Sequence, residues 1–201
     1  IGICHKNGTI HLSFDQHSDT LRYVKSILNL ANYPENFKWK NNLFSPISNK
    51  LHDSLIKNVT YPRFIETPDG SLLFECRIGT SGYGNSYLWK YTPDEDKWEY
   101  IGIFINGTIN NENPYIHGIK YDNKGILHVT WCWRETPDPT TNSDLYYAYS
   151  IDNGKTWFDN NNHRVAIAGN PKTALSRNIK SLKVWNINKN RGLINQESMT
   201  I

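Results

Sequence analysis

Tyr61 and Arg77 frame the stretch YPRFIETPDGSLLFECRIG, residues 61–79. An arginine offers a rigid fork of donors that fits a carboxylate or phosphate. A tyrosine offers a hydroxyl that can take or give a proton. Between them the pattern predicts two strands folded back at Pro68-Asp69-Gly70, a turn sequence. In an antiparallel pair the start of one strand lies beside the end of the next. Tyr61 stands about as far before the turn as Arg77 stands after it, so the two are expected on one rim of the hairpin. The same construction predicts Tyr115 and His117 near Trp133 and Arg134, and His17 on the corresponding rim of the first hairpin. Asn195 and Gln196 are expected to open a further unit and face the same way. Converging tyrosine, arginine, histidine and amide groups would form a polar, partly basic pocket for an anionic or sugar ligand.

Each group also has a plainer reading. His17, in FDQHSD, fits a turn histidine as well as a rim group, and Tyr61 before Pro62 fits a packing aromatic. Arg77 could form a surface ion pair with Glu75, which strand alternation puts on the same face. Arg134 is expected to pair in part with Glu135. His11 and His128 each stand three residues after a turn glycine and are read as repeated core histidines. Convergence on one rim is what favours the functional reading.

The elements that must position these groups repeat. Residues 61–66, 71–77, 86–92 and 98–104 read as four strands, with a glycine-rich loop, IGTSGYGN, between the second and third. Residues 115–121, 126–133, 145–150 and 156–158 repeat the plan, with a polar loop, RETPDPTTNSD, in the matching place. The start of the chain fits less fully: IGIC and TIHLSFD as strands, QHSD as a turn, TLRYVKS as a strand, then an irregular insertion over 27–58. Gly8, Gly70 and Gly125 provide the positive φ that the first turns need. Four-stranded meanders recurring every ~40–60 residues point to propeller blades, with a sandwich as the alternative. The predicted class is therefore all-β, a β-propeller with blade-like units at about 1–58, 61–104 and 115–158 and a partial unit from 193. SIDNGKTW, residues 150–157, matches the Asp-box pattern S-x-D-x-G-x-T-W. In it Asp152 is expected to accept turn N–H groups and Trp157 to pack beneath the turn.

Composition narrows the functions. Aromatic residues make up 13% of the 201, which favours pleated surfaces over helices. The 22 basic and 19 acidic residues leave a net charge of +3 with no basic run, so no nucleic-acid partner is expected. No apolar run approaches the roughly 18 residues of a membrane span, so no membrane partner is expected either. Cys4, Cys76 and Cys132 are read as buried thiols. No metal-ligand spacing is present, and neither metal nor cofactor is expected. Asn7, Asn58 and Asn106 each begin an N-x-S/T triplet, which fits a secreted protein. The chain starts and stops inside strand-like runs, so it is expected to be a fragment of a longer protein.

Four segments together resemble the BNR repeat-containing family of sialidase-like propellers. They are IGICHKNGTIHLSFDQH, VTYPRFIETPDGSLLFECRIGTSGYGN, YDNKGILHVTWCWRETPDPTTNSDLYYAYSIDNGKTW and NRGLINQES. The resemblance covers most of the chain apart from 27–58. Related seven-bladed propellers include ulvan lyases and α-L-rhamnosidases, secreted enzymes that act on rhamnose–glucuronate linkages. The resemblance implies a polysaccharide lyase that cleaves acidic, uronate-containing polysaccharide by β-elimination, with a rhamnosidase-type hydrolase or a non-catalytic sugar binder as alternatives. It casts His17 as one of two lyase histidines, the other falling just before Ile1. It casts Tyr61 as the catalytic tyrosine, Arg77 as the carboxylate-neutralising arginine and Tyr115 as a further cleft tyrosine. His117, Arg134, Asn195 and Gln196 are the remaining candidates for substrate binding.

Overall fold

Alternating residues become strands almost wherever the pattern predicted them. The computed structural model describes residues 1–201. A three-stranded sheet has the order β1 (Gly2–Cys4), β2 (Thr9–Ser13), β4 (Tyr23–Lys25). A five-stranded sheet has the order β3 (His17–Asp19), β5 (Val59–Glu66), β6 (Leu72–Thr80), β7 (Tyr83–Thr92), β8 (Lys97–Asn106). A third sheet runs β13 (Arg164–Ile167), β12 (Thr156–Phe158), β11 (Asn142–Ser150), β10 (Leu127–Arg134), β9 (Asn113–Tyr121), and β14 (Lys183–Trp185) also pairs with β11. The register pairs are antiparallel throughout. No helix is long and apolar enough to cross a membrane.

Three expectations about elements change. QHSD is not a turn: His17–Asp19 is β3, paired with β5. The glycine-rich stretch is mostly strand, because β6 runs to Thr80 and β7 restarts at Tyr83, leaving only Ser81 and Gly82 between them. Residues 193–201 form no strand. The expected turn glycines do take positive φ, at 65° for Gly8, 77° for Gly70 and 78° for Gly125.

The chain divides into two compact units, Ile1–Cys76 with Trp89–Tyr100, and Arg77–Leu88 with Ile101–Ile201. The core of the first unit is aromatic. His11 is fully buried and sits edge-on to Tyr91 at 4.5 Å and to Trp98 at 5.6 Å. Both of its nitrogens are engaged, by Thr9 Oγ1 at 2.8 Å and Tyr23 Oη at 2.7 Å. Burial holds its pKa down to about 3, so it stays neutral and structural as the sequence predicted.

In the second unit Trp131, Trp133 and Trp157 are fully buried. Trp157 stacks on Phe104 at 5.2 Å and donates from Nε1 to the Gly154 carbonyl at 2.9 Å. Asp152 ties the turn above it, accepting from the Thr156 amide at 2.8 Å and the Thr156 hydroxyl at 2.7 Å. Ser150 Oγ accepts the Gly154 amide at 2.8 Å. The three cysteines are buried and unpaired. Of the three sequon asparagines, Asn106 is buried and donates to the Pro171 carbonyl at 2.9 Å, and Asn7 donates to Tyr91 Oη at 3.2 Å. Asn58 is the exposed one.

Candidate functional site

Two groups of candidate side chains form, one in each unit. In the first unit, β3 pairs with β5 so that His17 lies opposite Thr60, and the register shifts before Asp19 meets Val59. That irregularity comes with left-handed backbone on both strands, with φ at 56° for Ser18 and 56° for Tyr61. The Ser18 amide donates to Thr60 Oγ1 at 2.9 Å, which pins the buckle. The His17 and Tyr61 rings then meet edge to face, with centroids 6.3 Å apart and planes at 82°. A bulky residue at positive φ costs ~1–3 kcal/mol and persists only where its surroundings impose it. Such residues concentrate at sites where a side chain must be aimed. His17 is exposed and Tyr61 half-buried, so both rings reach solvent.

In the second unit, Tyr115 lies between two guanidinium groups. Arg77 is 5.3 Å from its ring centroid and Arg134 4.5 Å, and all three side chains are buried. The register of β10 shifts against β9 after Thr130 and against β11 between Trp131 and Trp133. Bulges of this kind re-aim the residues beyond them, here Arg134 at the strand end. Arg134 donates from Nε to Asn142 Oδ1 at 2.8 Å, from one terminal nitrogen to Ser81 Oγ and Tyr115 Oη at 3.1 Å each, and from the other to Asn195 Oδ1. Every acceptor in this set is neutral. Burying a cation without a carboxylate is costly, so Arg134 carries positive charge that an anionic ligand would offset.

Glu135, expected beside Arg134, instead belongs to Arg177, which reaches it at 2.8 Å and Glu112 at 3.0 Å. Burial pushes Glu135 up, but hydrogen bonds from Lys189 and Arg177 outweigh it and hold the carboxyl below the usual range. For Glu112 burial wins over the attraction of Arg177, and its pKa rises to about 7. The folded state therefore binds this proton more tightly than the unfolded chain does. Stability from Glu112 is complete below pH 4.5, its ordinary value, and is lost as pH rises toward about 7. Glu112→Gln should accordingly gain on the native protein by roughly 2–3 kcal/mol across that window. Denaturant unfolding at pH 5 and pH 8 checks this, and an equal difference at both pH values contradicts it.

Of the remaining candidates, Asn195 joins the Arg134 group. Glu75 pairs with Arg63 at 2.7 Å in the first unit. His117 lines a cleft of the second unit with Leu145, Ile187 and Met199. Asn195 holds Arg134, while Gln196 is exposed. Sequence reasoning missed Ser81, in the two-residue turn between β6 and β7, and Asn142, at the start of β11, both in stretches that read as loops. It also missed Asn113, which faces Arg134 across β9 and accepts the Gly82 amide at 2.5 Å. The available signal was positional, since Asn113 and Asn142 flank Arg134 once the strands are extended to their full length.

Known proteins place this arrangement in context. The model of the BNR repeat-containing family matches residues 1–201. An ulvan lyase, long isoform, of Glaciecola sp. (strain KUL10) is 27% identical over 200 residues, covering 82% of this chain and 20% of that protein. An ulvan lyase, long isoform, of Pseudoalteromonas sp. (strain PLSV) is 28% identical over 221 residues, covering 89% and 21%. The chain thus spans about a fifth of the length of these curated relatives. Among solved structures, the polysaccharide lyase Uly1 superposes with a TM-score of 0.71 at 21% identity, over 94% of this chain and 48% of that one. A PL25 ulvan lyase bound to -[GlcA(1-4)Rha3S]- gives 0.63 at 10% identity, over 92% and 44%. These superpositions agree with the antiparallel sheets in fold. With the family model matched from the first residue to the last, the chain belongs to the BNR repeat-containing family.

Proposed function

We propose that this chain forms part of a secreted, seven-bladed β-propeller that cleaves acidic, uronate-containing polysaccharide by β-elimination. In this reading the blade-like units are about 1–58, 61–104 and 115–158, with a partial unit from 193, and the turn at 150–157 is an Asp-box. The observation that carries the reading is the buried arginine pair around Tyr115, in which Arg134 has only neutral acceptors. An anionic sugar is the complement of such a cluster.

Elimination removes the C5 proton of a uronate and breaks the C4–O bond, leaving a C4–C5 double bond and a protonated leaving hydroxyl. Negative charge builds on the substrate carboxylate as the proton leaves. Arg77 is assigned to that carboxylate, where a bidentate fork stabilises the developing charge. Tyr61 and His17 are assigned to proton transfer, one taking the C5 proton and the other orienting or supplying the proton for the leaving oxygen. Tyr115 and Arg134 are assigned to holding Arg77 and the sugar, with Asn195 ordering Arg134. His117 and Gln196 are assigned to more distant contacts with the polymer.

The test is product chemistry. The full-length protein, given an oligosaccharide of alternating glucuronate and 3-sulfated rhamnose, should release an unsaturated uronate that absorbs in the near ultraviolet. Release of sugar without that absorbance assigns hydrolysis instead. Binding without turnover assigns a sugar-binding role.

A further inference from the structure

The unit formed by Ile1–Cys76 and Trp89–Tyr100 holds a cleft of about 530 Å³ that neither His17 nor Tyr61 lines. Its size falls in the ~300–1,000 Å³ range of small-ligand sites. Tyr23, Tyr91 and Trp98 line it from the aromatic core, and all three are buried. Their polar atoms are already engaged. Trp98 Nε1 donates to Tyr23 Oη at 3.0 Å, and Tyr91 Oη donates to Asp96 Oδ1 at 2.5 Å. These residues therefore form a packed floor with no unmet hydrogen-bonding groups.

The wall is different. Trp89 Nε1 donates to His52 Nδ1 at 3.1 Å, which places the imidazole proton on Nε2. The His52 ring lies flat on Tyr100, 5.1 Å away with planes 4° apart, and Tyr100 is 47% exposed. Next to His52, Asp53 is exposed and makes no hydrogen bond or ion pair. The Lys97 side chain, 62% exposed, stands at the rim and pairs there with the exposed Glu95.

The cleft thus combines the exposed Tyr100 ring stacked on His52, a fixed N–H donor, an unengaged carboxylate and an ammonium shared with Glu95. A pyranose ring is their counterpart: its C–H face packs on aromatic rings, and its hydroxyls donate to a carboxylate and accept from an N–H. A charged substituent on the sugar would meet Lys97. We propose that this cleft is a non-catalytic subsite for a saccharide unit bearing an anionic group. Its role is to hold the polysaccharide away from the reacting bond. The proposal rests on the acidic-polysaccharide reading for its ligand but uses none of the residues assigned to chemistry.

The experiment is a calorimetric titration of the chain with an oligosaccharide of alternating glucuronate and 3-sulfated rhamnose. It compares the native form, Asp53→Ala with Lys97→Ala, and Arg77→Met. Both cleft substitutions are at exposed positions, and an unchanged melting temperature verifies that the fold is kept. The expected result is a binding event that weakens at least tenfold in the cleft variant and persists in Arg77→Met. His52→Phe, which keeps a ring against Tyr100 but removes the donor, should weaken the same event. Superimposable isotherms for the native and cleft variants overturn the subsite, as does absence of binding to the native chain. Binding that is native in the cleft variant but lost in Arg77→Met likewise overturns the subsite, while leaving the acidic-polysaccharide reading standing.

Discussion

Arg77→Met should lower kcat on a uronate-containing polysaccharide by at least about a hundredfold. Methionine keeps an unbranched side chain in the buried space beside Tyr115 and removes the guanidinium. On the proposed reading, what is lost is the group assigned to the substrate carboxylate while the C5 proton departs. Because that charge builds during the reaction, the loss should fall mainly on kcat rather than KM. Arg77→Lys retains the charge but not the planar fork, so it should recover only a small part of the activity. Melting curves separate this effect from unfolding, since the Arg134 hydrogen bonds to Ser81, Asn142, Tyr115 and Asn195 do not involve Arg77. A well-folded Arg77→Met protein with native kcat contradicts the assignment.

Tyr61→Phe should also cost ~10²–10⁴ in kcat, the range for loss of a positioned proton-transfer group. The substitution keeps the ring that meets His17 edge-on and removes only the hydroxyl. Substrate binding and melting temperature should therefore change little. Tyr61→Gly provides the complementary comparison. At a φ of 56° glycine is unstrained where tyrosine is not, so the backbone should gain about 1 kcal/mol as turnover disappears. An inactive variant that is at least as stable as the native protein would mark Tyr61 as a residue kept for chemistry. Phenylalanine at this position with undiminished turnover would return Tyr61 to a packing role.

Much of the fold was legible because turn chemistry and alternation agreed. Asp69-Gly70, Asn123 to Gly125 and the SIDNGKTW turn each interrupt a period-2 run, and each is a turn in the structure. β3 was not legible. Its three residues are all exposed, and its partner β5 begins forty residues later, so neither periodicity nor a local turn announces it. The pairing matters because it sets the left-handed backbone at Tyr61. β13 and β14 were missed for a related reason: they are short and lie in polar surroundings.

The site was legible only as a set of residue types. Spacing put Tyr115 near Arg134, and the two do meet. It could not show that bulges on both sides of Trp131 bring Asn142 onto Arg134, nor that Ser81 joins them. It also paired Arg134 with its neighbour Glu135, whereas Arg177 reaches that carboxylate from far along the chain. Adjacent residues of a strand point to opposite faces, so neighbours in sequence were the wrong guide there.

The central claim is that these residues serve elimination and not hydrolysis. Mass spectrometry of products formed in heavy-oxygen water tests it most directly. Elimination breaks the C4–O bond without adding water, so the product masses should sum to that of the substrate, with no heavy oxygen incorporated at the cleaved bond. Products that together carry one added water, with the heavy oxygen at the new reducing end, would contradict the account.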